Sequence, residues 1–177
     1  MARKFLRGEV LPSTASITVK LGAQGAPYKD TEIGKFVKIG TLDSQHVLCA
    51  VGDFIDGYIT SVEAATSDGF SIGGIQRDDY KYVVFDGSQA AGTGAITLGQ
   101  YVVAGTPVAL GSPLGTAANA YARVRSATAQ PGTTVPADLA AVAAHLAMVP
   151  YLWRVASLGP VGTGAVGTVG LIERVPC

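Results

Sequence analysis

The stretch 162–175, GTGAVGTVGLIERV, decides between two fold classes. Gly162, Gly164 and Gly167 match G-x-G-x-x-G, the pattern by which an α/β dinucleotide-binding fold places a pyrophosphate on a helix N-terminus. That fold needs a helix directly after the glycines, whereas residues 167–175 are rich in β-forming side chains. We therefore expect a turn that leads into a strand, and we predict no nucleotide or other cofactor.

A second segment of the chain resembles this one. Residues 92–99, GTGAITLG, share a G-T-G-A turn followed by apolar β-forming residues with residues 162–170, GTGAVGTVG. The likeness is too short to be a repeat. It predicts that the same local structure, a turn that leads into a strand, occurs twice.

Short β-forming runs separated by turn residues recur along the rest of the chain, which is typical of an all-β sandwich or barrel. The predicted strands are 16–21, 35–39, 47–51, 57–63, 80–85, 101–103, 107–110, 121–125, 151–156 and 167–175. Tight turns are predicted at Asp56-Gly57, Asp68-Gly69 and Asp86-Gly87, because Asp-Gly supports positive φ angles. The expected fold is an antiparallel β-barrel or sandwich of about ten short strands.

One helix interrupts this pattern. Pro136 is suited to a first helical turn, and apolar residues then recur at helical spacing, which predicts an inserted helix over about 136–148. Residues 1–15 lack a core pattern and are expected to form an extended N-terminal arm. The remaining residues, 16–177, are predicted to form a single β domain.

Composition excludes several classes of function. The chain has 13 basic and 13 acidic residues and a net charge of zero, so no general attraction to nucleic acid or to an anionic membrane is expected. No apolar run is predicted to act as a secretory signal or to span a membrane. Only 15% of the residues are charged, against about 25% usually, which predicts that other subunits or a partner cover part of the surface.

Residues 69–73, GFSIG, match the G-x-S-x-G elbow of serine hydrolases, with Ser71 as the nucleophile. Asp138 and His145 follow in the chain order that such a triad uses. The elbow requires a helix after the serine, and GGIQRDDYKYVVF does not have a helical pattern. A hairpin turn is therefore favoured, and no enzymatic activity is predicted.

Other candidate sites are also weak. No metal site is predicted, because His46 and His145 lack a second ligand at helical spacing and Asp78-Asp79 lacks alternating oxygen ligands. Cys49 and Cys177 fit no metal or redox spacing, and Cys49 is predicted to be a small buried hydrophobe. Tyr121, Arg123 and Arg125 alternate along one strand face, but a cluster this small does not predict nucleic-acid binding.

Four segments resemble the small β-barrel decoration, or cement, proteins of tailed bacteriophage heads. They are 34–39 (GKFVKI), 52–59 (GDFIDGYI), 96–105 (ITLGQYVVAG) and 167–175 (GTVGLIERV). The resemblance implies a non-enzymatic virion protein, made in the host cytoplasm, that binds the outside of an assembled capsid. Its implied partners are the major capsid protein and further copies of itself, as a trimer or a dimer.

The N-terminal arm is the expected capsid contact. An arm gains stability only by lying on a neighbour, so residues 1–11 are predicted to add to an exposed strand edge or to pair through basic side chains. The candidate contact residues are Arg3, Lys4, Phe5, Leu6 and Arg7.

Two alternatives stay open at this stage. One is a tail, fibre or baseplate module, with carbohydrate as a candidate ligand, although the single tryptophan, Trp153, lies in an apolar run that predicts burial. The other, from a different class, is a serine hydrolase that uses Ser71.

Overall fold

The computed structural model describes residues 16–63, 66–67, 69–77, 80–88, 94–108, 121–127 and 153–175. These residues form ten strands and one short 3-10 helix, Asp30–Glu32, which confirms the all-β prediction. The chain divides into two compact units. The barrel unit contains the described residues of 1–48 and 56–79, and the sheet unit contains those of 49–55 and 80–177.

The barrel unit is a closed five-stranded barrel. Its strands are β1 (Ser16–Leu21), β2 (Phe36–Ile39), β3 (Gln45–Leu48), β4 (Gly57–Glu63) and β5 (Ser71–Gln76). They are arranged in the order β1-β3-β2-β4-β5, and β5 pairs along the whole length of β1 to close the barrel. The buried aliphatic core consists of Val19, Leu21, Val37, Ile59 and Ile75.

Strand β5 was not predicted, because its sequence SIGGIQ contains two glycines, which weaken a strand pattern. Its packing explains Gly73, which pairs with Val19 on one side and Val62 on the other. A Cβ atom at Gly73 would collide with the Ser61 carbonyl and the Leu21 side chain. The glycine is therefore needed where the barrel is most tightly packed.

The sheet unit is a five-stranded sheet in the order β7-β8-β6-β10-β9. Its strands are β6 (Tyr80–Ser88), β7 (Val102–Ala104), β8 (Arg123–Ser126), β9 (Trp153–Ser157) and β10 (Val169–Arg174). Its inner face buries Val83, Phe85, Val124, Trp153 and Ile172. The sheet curls, because a bridge between Tyr101 and Arg154 brings its two edges together.

The prediction of an antiparallel fold is wrong in part. Strand β3 pairs in parallel with β1, and β8 pairs in parallel with β6. Parallel neighbours need a crossover connection, and here β2 lies between β1 and β3 in sequence while β7 lies between β6 and β8. Both sheets are therefore mixed.

The predicted strand bounds and Asp-Gly turns agree with the structure in part. The strands at 16–21 and 57–63 are confirmed at both ends. Asp86-Gly87 is not a hairpin turn: both residues lie within β6, where the register with β8 shifts and Gly87 has a φ of +83°. Gly57 begins β4, whereas Gly69, between β4 and β5, has the positive φ of a turn glycine.

Three predicted segments cannot be compared in full. Pro107 and Val108 are not in a strand, and residues 109–110 lie outside the described residues. The arm over 1–15 and the helix over 136–148 also lie outside them, so both stay predictions.

Candidate interaction surface

The outer face of the sheet unit carries a group of tyrosines, here called the tyrosine face: Tyr80, Tyr82 and Tyr121, which are exposed, and Tyr101, which is half-buried. Tyr80 and Tyr82 are two residues apart on β6 and therefore share one side of the strand. Their side chains are 56% and 59% exposed, whereas the intervening Lys81 points to the opposite side. The rings of Tyr82 and Tyr121 are tilted against each other, with centroids 5.8 Å apart.

An ion pair continues this face across the next two strands. Glu173 of β10 lies beside Tyr80, and Arg154 of β9 lies beside Glu173. The Arg154 Nε donates a hydrogen bond of 2.7 Å to Glu173 Oε1, and this bond raises the pKa of the guanidinium. Tyr101 forms a β-bridge with Arg154, and Tyr80 is the register partner of Glu173.

A buried carboxylate organises the other end of the same face. Asp86 accepts hydrogen bonds from the Thr106 amide (2.9 Å) and hydroxyl (2.6 Å), and from Arg123 (3.1 Å) and Arg125 (3.0 Å). Burial alone would raise the pKa of Asp86, but the bonds from Thr106 and Arg125 outweigh it and lower the pKa to about 2. The two arginines that alternate along β8 are therefore occupied within the sheet unit and do not form an open basic face.

The barrel unit contains a second polar cluster, at one end of its strands. Asp56 Oδ2 lies 2.8 Å from His46 Nε2 and accepts from Arg77 Nε and Nη2 at 2.9 and 2.7 Å. Burial raises the pKa of Asp56, but its bonds to His46 and Arg77 lower it by more. Arg77 Nη2 also lies 3.4 Å from His46 Nε2, and His46 Nδ1 is buried without a hydrogen-bond partner among the described residues. The cluster stabilises the barrel end.

The two G-T-G-A segments lie against each other. The Ile96 amide donates a 2.8 Å hydrogen bond to the Gly164 carbonyl, and a Cβ atom at Gly164 would collide with the Ile96 backbone. Strand β10 begins at Val169, so the G-x-G-x-x-G segment leads into a strand and not into the helix that a dinucleotide-binding fold requires. The backbone that approaches Gly164 belongs to the same unit.

This pair of turns exposes aliphatic side chains to water. Leu98, Val161 and Val166 are all at least half exposed. The Ile96–Gly164 hydrogen bond joins the two segments, and further backbone hydrogen bonds close the turns at 97–100, 159–162 and 165–168, so these exposed apolar side chains lie on hydrogen-bonded turns. We call these three residues the apolar turn pair.

Ser71 is not placed to act as a nucleophile. It is fully buried in β5, and its hydroxyl donates a 3.0 Å hydrogen bond to the Tyr28 carbonyl. A strand continues after it, so the strand-to-helix elbow is not formed. The proposed partners Asp138 and His145 lie outside the described residues.

Cys49 is buried, as predicted, and its Sγ lies 3.7 Å from the Phe54 carbonyl. Trp153 is also buried, as predicted. Asp78, Asp79, Cys177 and the candidate contact residues lie outside the described residues: Arg3, Lys4, Phe5, Leu6 and Arg7.

Within the described ranges, no group of three or more His, Cys, Asp or Glu side chains could hold a metal ion. No helix in that part of the chain is long and apolar enough to cross a membrane.

The sequence pattern does not group the tyrosine face. Tyr121, Arg123 and Arg125 alternate along one predicted strand and residues 80–85 form another, and nothing in the linear sequence places these two strands side by side. The available signal was the spacing of Tyr80 and Tyr82, which puts both on one side of a strand.

Comparison with known proteins adds no relative. The chain matches no protein-family model, no curated protein and no solved structure.

Proposed function

We propose that this chain is a structural virion protein that binds the outer surface of an assembled bacteriophage capsid and stabilises it by bridging neighbouring major capsid proteins. The four segments that resemble decoration proteins all contain a strand: β2 in 34–39, the start of β4 in 52–59, β7 in 96–105 and β10 in 167–175. The resemblance therefore includes strands of both units.

The apolar turn pair is the observation that carries the proposal. Leu98 and Val161 are 63% and 65% exposed although they lie on hydrogen-bonded turns. Covering such side chains with a protein surface stabilises an assembly by about 25 cal/mol per Å² of apolar area removed from water. This surface also agrees with the low charged fraction of the chain, 15%.

Capsid stabilisation requires only modest energy for each contact. A protein that touches two or more shell subunits at once gains from the high effective concentration of the second contact. Self-association as a trimer, or as a dimer, would add to this effect. The proposed partners are thus the major capsid protein and other copies of this chain, with the virion surface as the site of action.

Residues 1–11 supply the proposed shell contact outside the described residues. Arg3, Lys4 and Arg7 would pair with acidic groups of the shell, and Phe5 and Leu6 would cover apolar ones.

The test is co-sedimentation of the purified protein with heads from particles that lack it. Deletion of residues 1–11 and the triple variant Leu98→Ser, Val161→Ser, Val166→Ser should each reduce binding at least about tenfold, equivalent to about 1.4 kcal/mol. The matched control is Leu42→Ser, because Leu42 is also exposed (54%) but lies in the barrel unit.

Unchanged affinity after the deletion would rule out the arm as the contact. Heads that fail to bind the full chain would overturn the proposed function.

A further inference from the structure

The tyrosine face is not used by the contacts proposed above, yet it has the character of a recognition surface. Four of the seven tyrosines of the chain lie on it. Tyrosine is favoured in binding sites because a rigid ring and one hydroxyl give large contact area at low entropy cost. Its concentration on one exposed sheet face is therefore typical of a recognition surface.

The size of the face matches a small ligand. Tyr80 and Tyr82 are separated by two residues of strand, about 7 Å, and Tyr121 lies one strand away from Tyr82, about 5 Å. The three rings together expose on the order of 300 Å². A stable protein–protein interface buries about 800 Å² on each partner, so this platform suits one to three sugar rings better than a folded protein.

The polar groups at its border select the ligand's chemistry. Glu173 and Arg154 lie next to Tyr80 and are paired with each other at 2.7 Å, so their charges cancel. A carboxylate that accepts and a guanidinium that donates can bind the neighbouring hydroxyls of a sugar. Beside Tyr80, where the two charges are paired, a neutral ligand fits better than an acidic one, and at the other end of the face Arg123 and Arg125 are both held by Asp86.

Pyranose rings combine the two properties that this surface requires. One face of the ring is a row of C–H groups that stacks on an aromatic ring, and its rim carries hydroxyls. Apolar stacking next to a few oriented polar groups is the usual composition of a small-molecule site.

We propose that the tyrosine face is a binding site for a neutral saccharide of one to three pyranose rings, which stacks on Tyr80, Tyr82 and Tyr121 and hydrogen-bonds to Glu173 and Arg154. The inference goes beyond capsid binding and holds whether the chain is mounted on a head or on a tail.

The first experiment screens the full chain against a printed array of neutral and sialylated glycans. Neutral glycans are expected to bind, and sialylated forms of the same glycans to bind more weakly. Binding that requires sialic acid would overturn the proposal, as would an array without any bound neutral glycan.

The second experiment locates the site with the neutral glycan bound most tightly on the array. In protein carrying ¹³C-labelled tyrosine, this glycan should shift the ring signals of Tyr80, Tyr82 and Tyr121 and leave that of Tyr58 unchanged. Tyr82→Ala and Tyr121→Ala should each weaken binding at least about tenfold, whereas Tyr82→Phe, which keeps the ring, should weaken it less. Unchanged affinity in both alanine variants, with the circular dichroism spectrum preserved, would overturn the assignment.

A crossed comparison separates this site from the proposed head contact. Tyr82→Ala should lose the glycan and keep head binding, whereas the triple serine variant of the apolar turn pair should do the opposite. Loss of head binding in Tyr82→Ala would identify the tyrosine face as a protein contact instead and overturn the saccharide proposal.

Discussion

Replacing Asp86 by Asn is expected to destabilise the sheet unit by about 2 to 3 kcal/mol at neutral pH. Asp86 is only 6% exposed and is the shared acceptor for Arg123, Arg125 and Thr106. The amide can still accept from Thr106, but both guanidinium groups lose the negative charge of Asp86. The side chains of Arg123 and Arg125 are 22% and 19% exposed, so water recovers part of this loss.

The pH dependence of stability gives a second value for the free energy that ionised Asp86 contributes to folding. Burial opposes ionisation, but the bonds from Thr106 and Arg125 lower the pKa of Asp86 from 3.8 to about 2. A carboxyl whose pKa is lowered by folding stabilises the protein above its unfolded pKa, and this stabilisation is lost as the pH falls from about 4 to about 2. The difference corresponds to about 2 kcal/mol, at roughly 1.4 kcal/mol per pKa unit.

The assay is urea unfolding followed by tryptophan fluorescence. The single tryptophan, Trp153, is fully buried in the sheet unit and therefore reports on the unit that contains Asp86. The matched control is Glu173→Gln, which breaks an arginine–carboxylate pair in the same sheet. Because the Arg154 side chain is 45% exposed, water screens this pair, and the change should cost clearly less than Asp86→Asn.

The reasoning would be refuted if Asp86→Asn cost no more than Glu173→Gln. It would also be refuted if the difference between wild type and Asp86→Asn persisted unchanged at pH 2.

Three further predictions concern packing, the barrel cluster and Ser71. Gly73→Ala should destabilise the barrel unit by more than about 1 kcal/mol, because the added Cβ would meet the Ser61 carbonyl, whereas the control Thr18→Ala, at an exposed position, should change stability by less than about 0.5 kcal/mol. Amide hydrogen exchange in β1 and β5 measures both variants, and equal protection in the two would contradict the packing argument. Arg77→Ala should raise the pKa of Asp56 by removing two hydrogen bonds and a positive charge, which an NMR titration of the carboxyl can follow; an unchanged value would be inconsistent with the geometry. A fluorophosphonate probe should not label the chain, since the Ser71 hydroxyl is buried and bonded, and labelling that disappears in Ser71→Ala would revive the hydrolase hypothesis.

Local sequence patterns predicted the strands correctly where β-forming side chains are continuous. Residues 16–21 and 57–63 have continuous β-forming patterns, and both strands are found at the predicted bounds. Strand β5 was not predicted because tight packing requires a glycine at position 73. A glycine has no β-forming side chain, so it interrupts the sequence pattern that indicates a strand.

The candidate site depended on information that a linear pattern does not contain. Asp86-Gly87 has the same local preference in a hairpin turn and in a bulged strand, and only pairing with β8 distinguishes the two. Likewise, Tyr82 and Tyr121 meet because β6 and β8 are parallel neighbours, a pairing between strands that β7 separates in the chain. Contacts across distant strands are thus what the sequence could not supply.

The proposed function is tested most directly by locating the protein on particles. Purified virions from the genome that encodes the chain can be examined by electron microscopy with gold-labelled antibodies against it. The proposal predicts label over the heads and its loss after deletion of the gene. Label confined to tails, or purified virions that carry none of the protein, would contradict it.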